Sequence, residues 1–236
     1  MTDIEKRLFE NIENVDEKVS RAAKESGRER KDIILCAACK TMPSDIVKAA
    51  AKTGKIDVFG ENRVQELCEH YDSGAFGGVP AQFIGHLQTN KISKVLGRVE
   101  LIQSVDSLHL AMAVAEKAVN SGKEMDVLLE INIDSEESKF GFDVKTIRKD
   151  IEQISKIKGI NVRGIMAIPQ KITEADKYSN SFERLSQLFI DIKAEKYDNI
   201  RMDYLSMGMS GDFEKAILCG ANLVRVGTAI FGTRKI

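Results

Sequence analysis

What this chain has little of already narrows its class. Its 236 residues carry a net charge of only -1, from 35 Lys and Arg against 36 Asp and Glu. Mixed signs in near balance give no overall pull toward nucleic acid or an acidic membrane, which argues against a dedicated DNA or RNA binder. No uninterrupted apolar run approaches the roughly 20 residues that span a bilayer. Met1-Thr2-Asp3-Ile4-Glu5-Lys6-Arg7 lacks the apolar core of a secretion signal, so a cytoplasmic location without membrane attachment is expected. The four cysteines (Cys36, Cys39, Cys68, Cys219) are too few and too scattered for a disulfide scaffold. Cys36 and Cys39 have the separation of a redox or zinc pair, but both fall within an expected strand. An odd spacing there turns the two thiols to opposite faces, and no second pair or nearby His completes a metal site. No Pro/Gly/Ser-rich linker interrupts the chain and the loop-like stretch 74–80 is short, so residues 1–236 read as one domain.

What is present is a repeating unit. Ile4, Leu8, Ile12, Val15, Val19, Ala22 and Ala23 have helical spacing over 2–26, with Gly27 as the stop. Then a short apolar strand, a polar turn and an amphipathic helix recur. The strands are expected at Ile33–Cys39, Val58–Gly60, Gln82–Gly85, Leu101–Val105, Val127–Ile133, Val162–Ile168, Tyr204–Met207 and Leu223–Gly227. Helices are expected between them at Ser44–Thr53, Arg63–Tyr71, Lys91–Leu96, Leu108–Asn120, Val144–Lys156, Thr173–Ala194 and Asp212–Cys219. Strict alternation implies a parallel sheet. Eight strands in one kind of unit favour a closed (β/α)8 TIM barrel with an extra N-terminal helix over an open doubly wound sheet.

Active residues of such a barrel come from the carboxyl ends of its strands. Ile33-Ile34-Leu35-Cys36-Ala37-Ala38-Cys39 ends abruptly at Lys40, before Pro43 and a new helical pattern. A lysine held against apolar walls becomes a usable amine nucleophile; the plainer reading is a strand-end lysine whose head reaches water. Thr41 follows the same strand, and Glu61, Asn62 and Arg63 follow the second. His86, Gln88 and Asn90 follow the third, Ser104 and Asp106 the fourth, Asn132 the fifth, and Met166 and Pro169 the sixth. The seventh ends in Ser206-Met207-Gly208-Met209-Ser210-Gly211 and the eighth in Arg225-Val226-Gly227-Thr228-Ala229-Ile230-Phe231-Gly232. Ser210 and Gly211 stand where a helix is expected to begin, which suits an anion, and Gly227-Thr228 adds a second such turn. Ser210 acting only as a helix cap uses the same geometry. Arg225, inside the last strand, needs an acid or a ligand acceptor if it points inward. An amine, a phosphate clamp and an arginine beside it suit pyridoxal 5'-phosphate (PLP), which offers an aldehyde, a phosphate and a ring acceptor.

The stretches Ala38-Cys39-Lys40-Thr41, Phe59-Gly60-Glu61-Asn62-Arg63-Val64-Gln65-Glu66 and Phe83-Ile84-Gly85-His86-Leu87-Gln88-Thr89-Asn90-Lys91 carry a resemblance. With Ser206-Met207-Gly208-Met209-Ser210 and Val224 to Gly232 they resemble the YggS/PROSC family of pyridoxal phosphate homeostasis proteins, in order and over essentially the whole chain. The resemblance implies a barrel like the N-terminal domain of alanine racemase, with Lys40 forming an internal aldimine. It also implies that Arg225 faces the pyridine nitrogen and that Ser210, Gly227 and Thr228 hold the phosphate. Asn62 and His86 fall in family motifs near the pocket; with Met166 and Gly211 from the rim they complete the expected cofactor-binding set. Where the family usually has a small residue such as Ser before the lysine, this chain has Cys39, an oxidisable neighbour.

Three functions are compatible with these residues. The resemblance favours a carrier that binds and releases PLP, with apo PLP-dependent enzymes as recipients. A racemase of the alanine racemase type needs a base on each face of the substrate α-carbon. Lys40 could serve one face, whereas fold-type racemases supply the other base, a tyrosine, from a second domain across a dimer. The chain ends at Thr233-Arg234-Lys235-Ile236, directly after the eighth strand, so that domain is expected to be missing and the protein to be a monomer. A cofactor-free Schiff-base aldolase or lyase would use Lys40 on a carbonyl substrate and, unlike the carrier, would not be yellow.

Overall fold

Thr2 opens the first helix, α1 (Asp3–Glu25). Its hydroxyl accepts from the Glu5 amide at 3.2 Å, and the Glu5 carboxylate accepts from the Thr2 amide at 2.7 Å, a reciprocal cap. Leu8, Ile12, Val15, Val19, Ala22 and Ala23 form its buried face, as their spacing predicts. The computed structural model describes residues 2–134, 140–169 and 175–232.

The strands are β1 (Ile34–Ala38), β2 (Val58–Glu61), β3 (Ala81–Phe83), β4 (Leu101–Val105), β5 (Met125–Asn132), β6 (Phe142–Asp143), β7 (Ile160–Met166), β8 (Ile200–Ser206) and β9 (Leu223–Val226). The intervening helices are α2 (Ser44–Ala51), α3 (Val64–Asp72), α4 (Ile92–Val95), α5 (Leu108–Asn120), α6 (Ile147–Ile154), α7 (Ala175–Ala194), α8 (Phe213–Leu218) and α9 (Thr228–Phe231). Parallel pairing runs β4-β3-β2-β1-β9-β8-β7-β5, and β4 also pairs with β5, so eight strands close into a (β/α)8 barrel. The two-residue β6 lies against β5 outside the ring. Among the described residues no helix is long and apolar enough to cross a membrane.

Strand alternation divides the core in two. Cys36, Val58, Ile84, Leu101, Leu128, Met166 and Leu223 pack together inside the barrel. Leu35, Ala37, Cys39, Phe59, Phe83, Ile102, Leu129, Ile165, Val224 and Val226 face the helices as part of the larger outer core. Cys36 and Cys39 do lie on opposite faces, both buried and unpaired. Burial pushes the Cys36 thiol up to about 12 and the Cys39 thiol well above its usual range.

The eight expected strands and their helices are present, but several edges differ. β5, β7 and β8 begin earlier than expected, at Met125, Ile160 and Ile200. Their first halves carry Asp126, Asn161, Arg163 and Asp203, which break the apolar runs that mark a strand in sequence. In the barrel these groups satisfy one another. Arg163 donates to Asp126 at 2.5 Å and to Asp203 at 2.8 Å, and Asn161 donates to Asp126 at 3.2 Å. β3 ends at Phe83 rather than Gly85, and the helix expected at Lys91–Leu96 is a 3₁₀ turn, Thr89–Lys91, leading into the four-residue α4. α8 starts at Phe213 rather than Asp212. The first two residues of the helix expected from Thr173 lie outside the described residues.

Candidate functional site

Lys40 comes to the barrel mouth by counting. Ile34, Cys36 and Ala38 lie on the interior side of β1, and Leu35, Ala37 and Cys39 on the helix side. Lys40 follows two residues past Ala38, in the turn beyond the carboxyl end of β1. Lys40 is exposed, as in the plainer of the two strand-end readings, and is not pressed against apolar walls. Among the described residues its amine has no hydrogen-bond or ion-pair partner. The next residue, Thr41, is held at φ 61°, where a β-branched side chain is strained. The amide of Met42 donates to the Cys39 carbonyl at 2.8 Å, so Cys39–Met42 is a tight turn with Lys40 and Thr41 at its centre.

Arg225 enters the same space from β9, which pairs with β1 in the register Cys36↔Arg225. It is buried, and its guanidinium donates to Ser206 Oγ and, at 2.9 Å, to the Ala167 carbonyl. Among the described residues no carboxylate hydrogen-bonds to it. Burial lowers its pKa from the ordinary value, opposed by Cys36, Glu130 and Asp212. Glu130, near the top of β5, is itself raised, chiefly by burial and then by Asp106. A buried cation whose partners are mostly neutral is suited to a ligand acceptor.

The seam between the last two loops is built by Ser210. Its hydroxyl oxygen accepts from the Gly227 and Ala229 amides, both at 3.1 Å, leaving its own proton for an acceptor at the rim. Ser210 therefore does not cap the helix that follows it. That end is organised by Asp212, whose carboxylate accepts from the Met209 amide at 2.6 Å. Gly227 answers a steric demand, because a Cβ there would sit 3.2 Å from the Ala38 carbonyl oxygen, two residues before Lys40. Gly211 answers none: it is exposed, and a Cβ would meet nothing within 4 Å. Thr228 is exposed at the first position of α9.

The remaining expected residues are distributed around the rim. Met166 ends β7 inside the barrel and is buried. Asn62 follows β2 half-buried, packed so closely on the β3 loop that a Cβ on Gly85 would lie 2.1 Å from its carbonyl oxygen. His86 is half-exposed; its Nδ1 pairs with Asp106 at 3.1 Å and its ring stacks on Phe140 at 4.0 Å. Glu61, grouped with the mouth by sequence position, faces the other way. It is buried behind β2 and bonds His70 Nδ1 at 2.6 Å.

Sequence reasoning missed a polar chain across the barrel. Arg225 donates to Ser206, Ser206 to Gln103 Oε1 at 2.6 Å, Gln103 to Gln82 Oε1 at 2.5 Å, and Gln82 to Glu100 at 2.9 Å. Every donor points from the cation toward the carboxylate. The one available signal was a glutamine at an interior position in each of two neighbouring apolar strands.

Barrels of this build bind their ligands at the carboxyl rim, and the polar groups gathered there place the protein in the class of parallel ligand-binding (β/α)8 barrels. More narrowly, the chain belongs to the alanine racemase N-terminal domain family, whose profile matches residues 10–235. It is similar to the pyridoxal phosphate homeostasis protein of Aquifex aeolicus, 35% identical over 226 residues that cover 96% of this chain and 98% of that one. A protein of Bifidobacterium adolescentis has the same fold at a TM-score of 0.91 with 34% identity, covering 98% of this chain and 97% of that one. PipY of Synechococcus elongatus, in a structure with PLP bound, matches at a TM-score of 0.78 with 28% identity, over 91% of this chain and all of that one, 100%.

Proposed function

We propose that this protein binds PLP at the β1–β9 seam, holds it covalently through Lys40, and serves intracellular PLP homeostasis by giving it up to apo PLP-dependent enzymes. The observation that carries the reading is the adjacency of three groups on neighbouring strands. The Lys40 turn ends β1, the buried Arg225 lies beside Cys36 across the same pair, and the Ser210–Gly227–Ala229 cluster abuts Ala38. PLP supplies an aldehyde that condenses with a lysine amine with loss of one water, and a ring that spreads charge. Lys40 would provide that amine. Ser210 Oγ–H, the nearby backbone amides and Thr228 would hold the phosphate, and Arg225 would donate to the ring nitrogen. An arginine there disfavours protonation of that nitrogen and weakens the ring as an electron sink, which suits storage better than turnover. Asn62, His86 and Met166 would line the mouth.

A carrier is favoured over a racemase by where the tyrosines are. Tyr71 lies against Arg98 at 5.4 Å, Tyr204 against Arg163 at 5.6 Å, and Tyr197 donates to Glu195 at 2.6 Å. Arg98 and Glu195 precede β4 and β8, away from the carboxyl rim, while Tyr204 packs on the interior cluster with its ring on Arg163; the side chain of Tyr178 lies outside the described residues. The name borne by the Aquifex relative supports the same reading.

The test is an absorbance spectrum of the purified protein with added PLP, before and after borohydride reduction, with peptide mapping of the adduct. Lys40→Ala should abolish the reducible chromophore while the far-UV circular dichroism is unchanged; an adduct at Lys52 or Lys91 would sink the assignment. Loaded protein should activate an apo PLP enzyme, and L- and D-alanine should not interconvert above the Lys40→Ala background. Multiple-turnover racemisation would overturn the carrier reading.

A further inference from the structure

We propose that the buried Glu61–His70 pair is the positioning device for Lys40, clamping its turn through one shared proton; the idea rests on Lys40 being the cofactor lysine. His70 sits on α3 and Glu61 ends β2, with side chains 1% and 0% exposed. His70 Nε2 lies 3.0 Å from the Met42 carbonyl and His70 Nδ1 lies 2.6 Å from Glu61 Oε1. A carbonyl only accepts, so Nε2 carries a hydrogen. The second contact needs another hydrogen between nitrogen and oxygen, supplied either by an imidazolium Nδ1–H or by a protonated carboxyl. In both cases the pair is neutral and holds one proton beyond a bare carboxylate and a neutral imidazole. Remove it, and a nitrogen lone pair faces a carboxylate oxygen without water to intervene. One of the two contacts must then open.

The contact at stake is the one that holds Lys40 in place. Met42 closes the Cys39–Met42 turn, whose third residue, Thr41, is strained at φ 61°. Strained turns persist where their surroundings over-determine them. Here the restraints come from outside the turn. His70 holds the Met42 carbonyl, and the Glu66 carboxylate accepts from the Thr41 amide at 3.2 Å. Both restraints come from α3.

The groups that act on the pair are Cys39, Glu66 and Glu69, with Cys36 beyond Cys39. Arg63 bonds to Glu66, on its exposed side. The hydrogen bond to Glu61 raises His70 from its usual 6.5, and burial raises Glu61 from its usual 4.5. Between the unfolded values and the raised value of the pair, the folded chain thus binds more protons than the unfolded chain, in which the carboxylate and imidazole are free. The sign follows: the clamp is intact below pH 6.5 and loosens as pH rises through the raised value of the pair.

The experiment uses full-length protein in two arms. In the apo protein, exchange of the Met42 amide is followed against pH after correction for the intrinsic rate, with β5 amides as a global-stability control. In the second arm, PLP is added and Lys40 is trapped with borohydride. Wild type should show faster Met42 exchange and slower trapping above the titration of the pair. In Glu61→Gln the amide donates to the Nδ1 lone pair without a titrating proton, so both steps should vanish while values near neutral pH match wild type. His70→Phe should raise Met42 exchange at least tenfold at every pH, leave β5 protected, and slow trapping at least tenfold. The proposal is overturned if His70→Phe stays within twofold of wild type, or if Glu61→Gln keeps the wild-type pH step. If His70→Phe does not fold, the Glu61→Gln arm decides alone. Should PLP modify another lysine while Met42 responds as expected, the clamp stands and the cofactor assignment to Lys40 fails.

Discussion

Thr41 shows how much a single residue can cost beside a binding site. Held at φ 61°, it occupies a region open to Asn and closed to β-branched side chains without strain of roughly 1–3 kcal/mol. Thr41→Asn should therefore stabilise the apo protein by about 1 kcal/mol, a rise of roughly 2–4 °C in a thermal scan; a lower melting temperature would mean that the Thr41 hydroxyl bond to the Lys40 carbonyl, 2.6 Å long, outweighs the strain. In the proposed site two other residues would divide the ligand between them. Ser210 presents a hydroxyl at the β8–β9 seam, and Arg225 a guanidinium inside the barrel. Losing one hydrogen bond to a charged group costs about 1.5–3 kcal/mol, one to two decades in affinity. Ser210→Ala should weaken PLP more than unphosphorylated pyridoxal. Arg225→Met should weaken the two alike, because in the proposed site it would act on the ring. Titrations with both ligands check the pair of variants, and the reverse pattern would interchange the two roles.

Among the elements, α1 does more than cover the barrel. Asn11 donates to the Ile230 carbonyl at 2.9 Å, and Arg21 pairs with Glu214 at 2.7 Å, so the helix braces α9 and α8, which follow the two seam loops. Arg28, just past the end of α1, donates to the Ile217 carbonyl, which also accepts from the Gly220 amide at 2.9 Å, and at 2.8 Å to that of Ala221. Arg28→Met should cost about 1–3 kcal/mol in denaturant unfolding, since the Ala221 carbonyl loses the Arg28 donor while partly buried; a change under about 0.5 kcal/mol would show that water replaces it. The helix itself was legible in the sequence, because Leu8 to Ala23 repeat at 3.6-residue spacing. Its partners were not. Nothing local to Arg28 says that the carbonyls it serves lie about 190 positions further on.

At the scale of the whole molecule, the interior joins its two ends. The chain Arg225–Ser206–Gln103–Gln82–Glu100 crosses from β9 to the start of β4 with each donor aimed the same way, so each bond polarises the next. Gln103→Leu should cut it, leaving Gln82 Oε1 and the Ser206 proton without partners, at about 1–3 kcal/mol each. The expected result is a lower denaturation midpoint together with weaker PLP binding, because Arg225 loses the group that orients Ser206. A loss of stability with unchanged PLP affinity would separate the chain from the site.

The sequence by itself determined the eight barrel strands and the helices between them, but not the short β6 and α9. It also determined the alternation that sets Cys36 and Cys39 on opposite sides of β1, since this depends on residues only three apart. It located the polar rim for the same reason: each rim residue follows its own strand. Tertiary structure alone decided which rim groups meet. Closure puts β9 against β1, and only then does Arg225 lie beside Cys36 and Gly227 against Ala38. It also turned Glu61 away from the mouth onto His70, and gave the Ser210 hydroxyl to the amides of the next loop instead of its own helix. Early strand edges at Asp126, Arg163 and Asp203 were hidden for a related reason. A charge inside a strand reads as a break until the barrel brings its counter-charge from a neighbouring strand, and that pairing is set by closure, not by the local pattern.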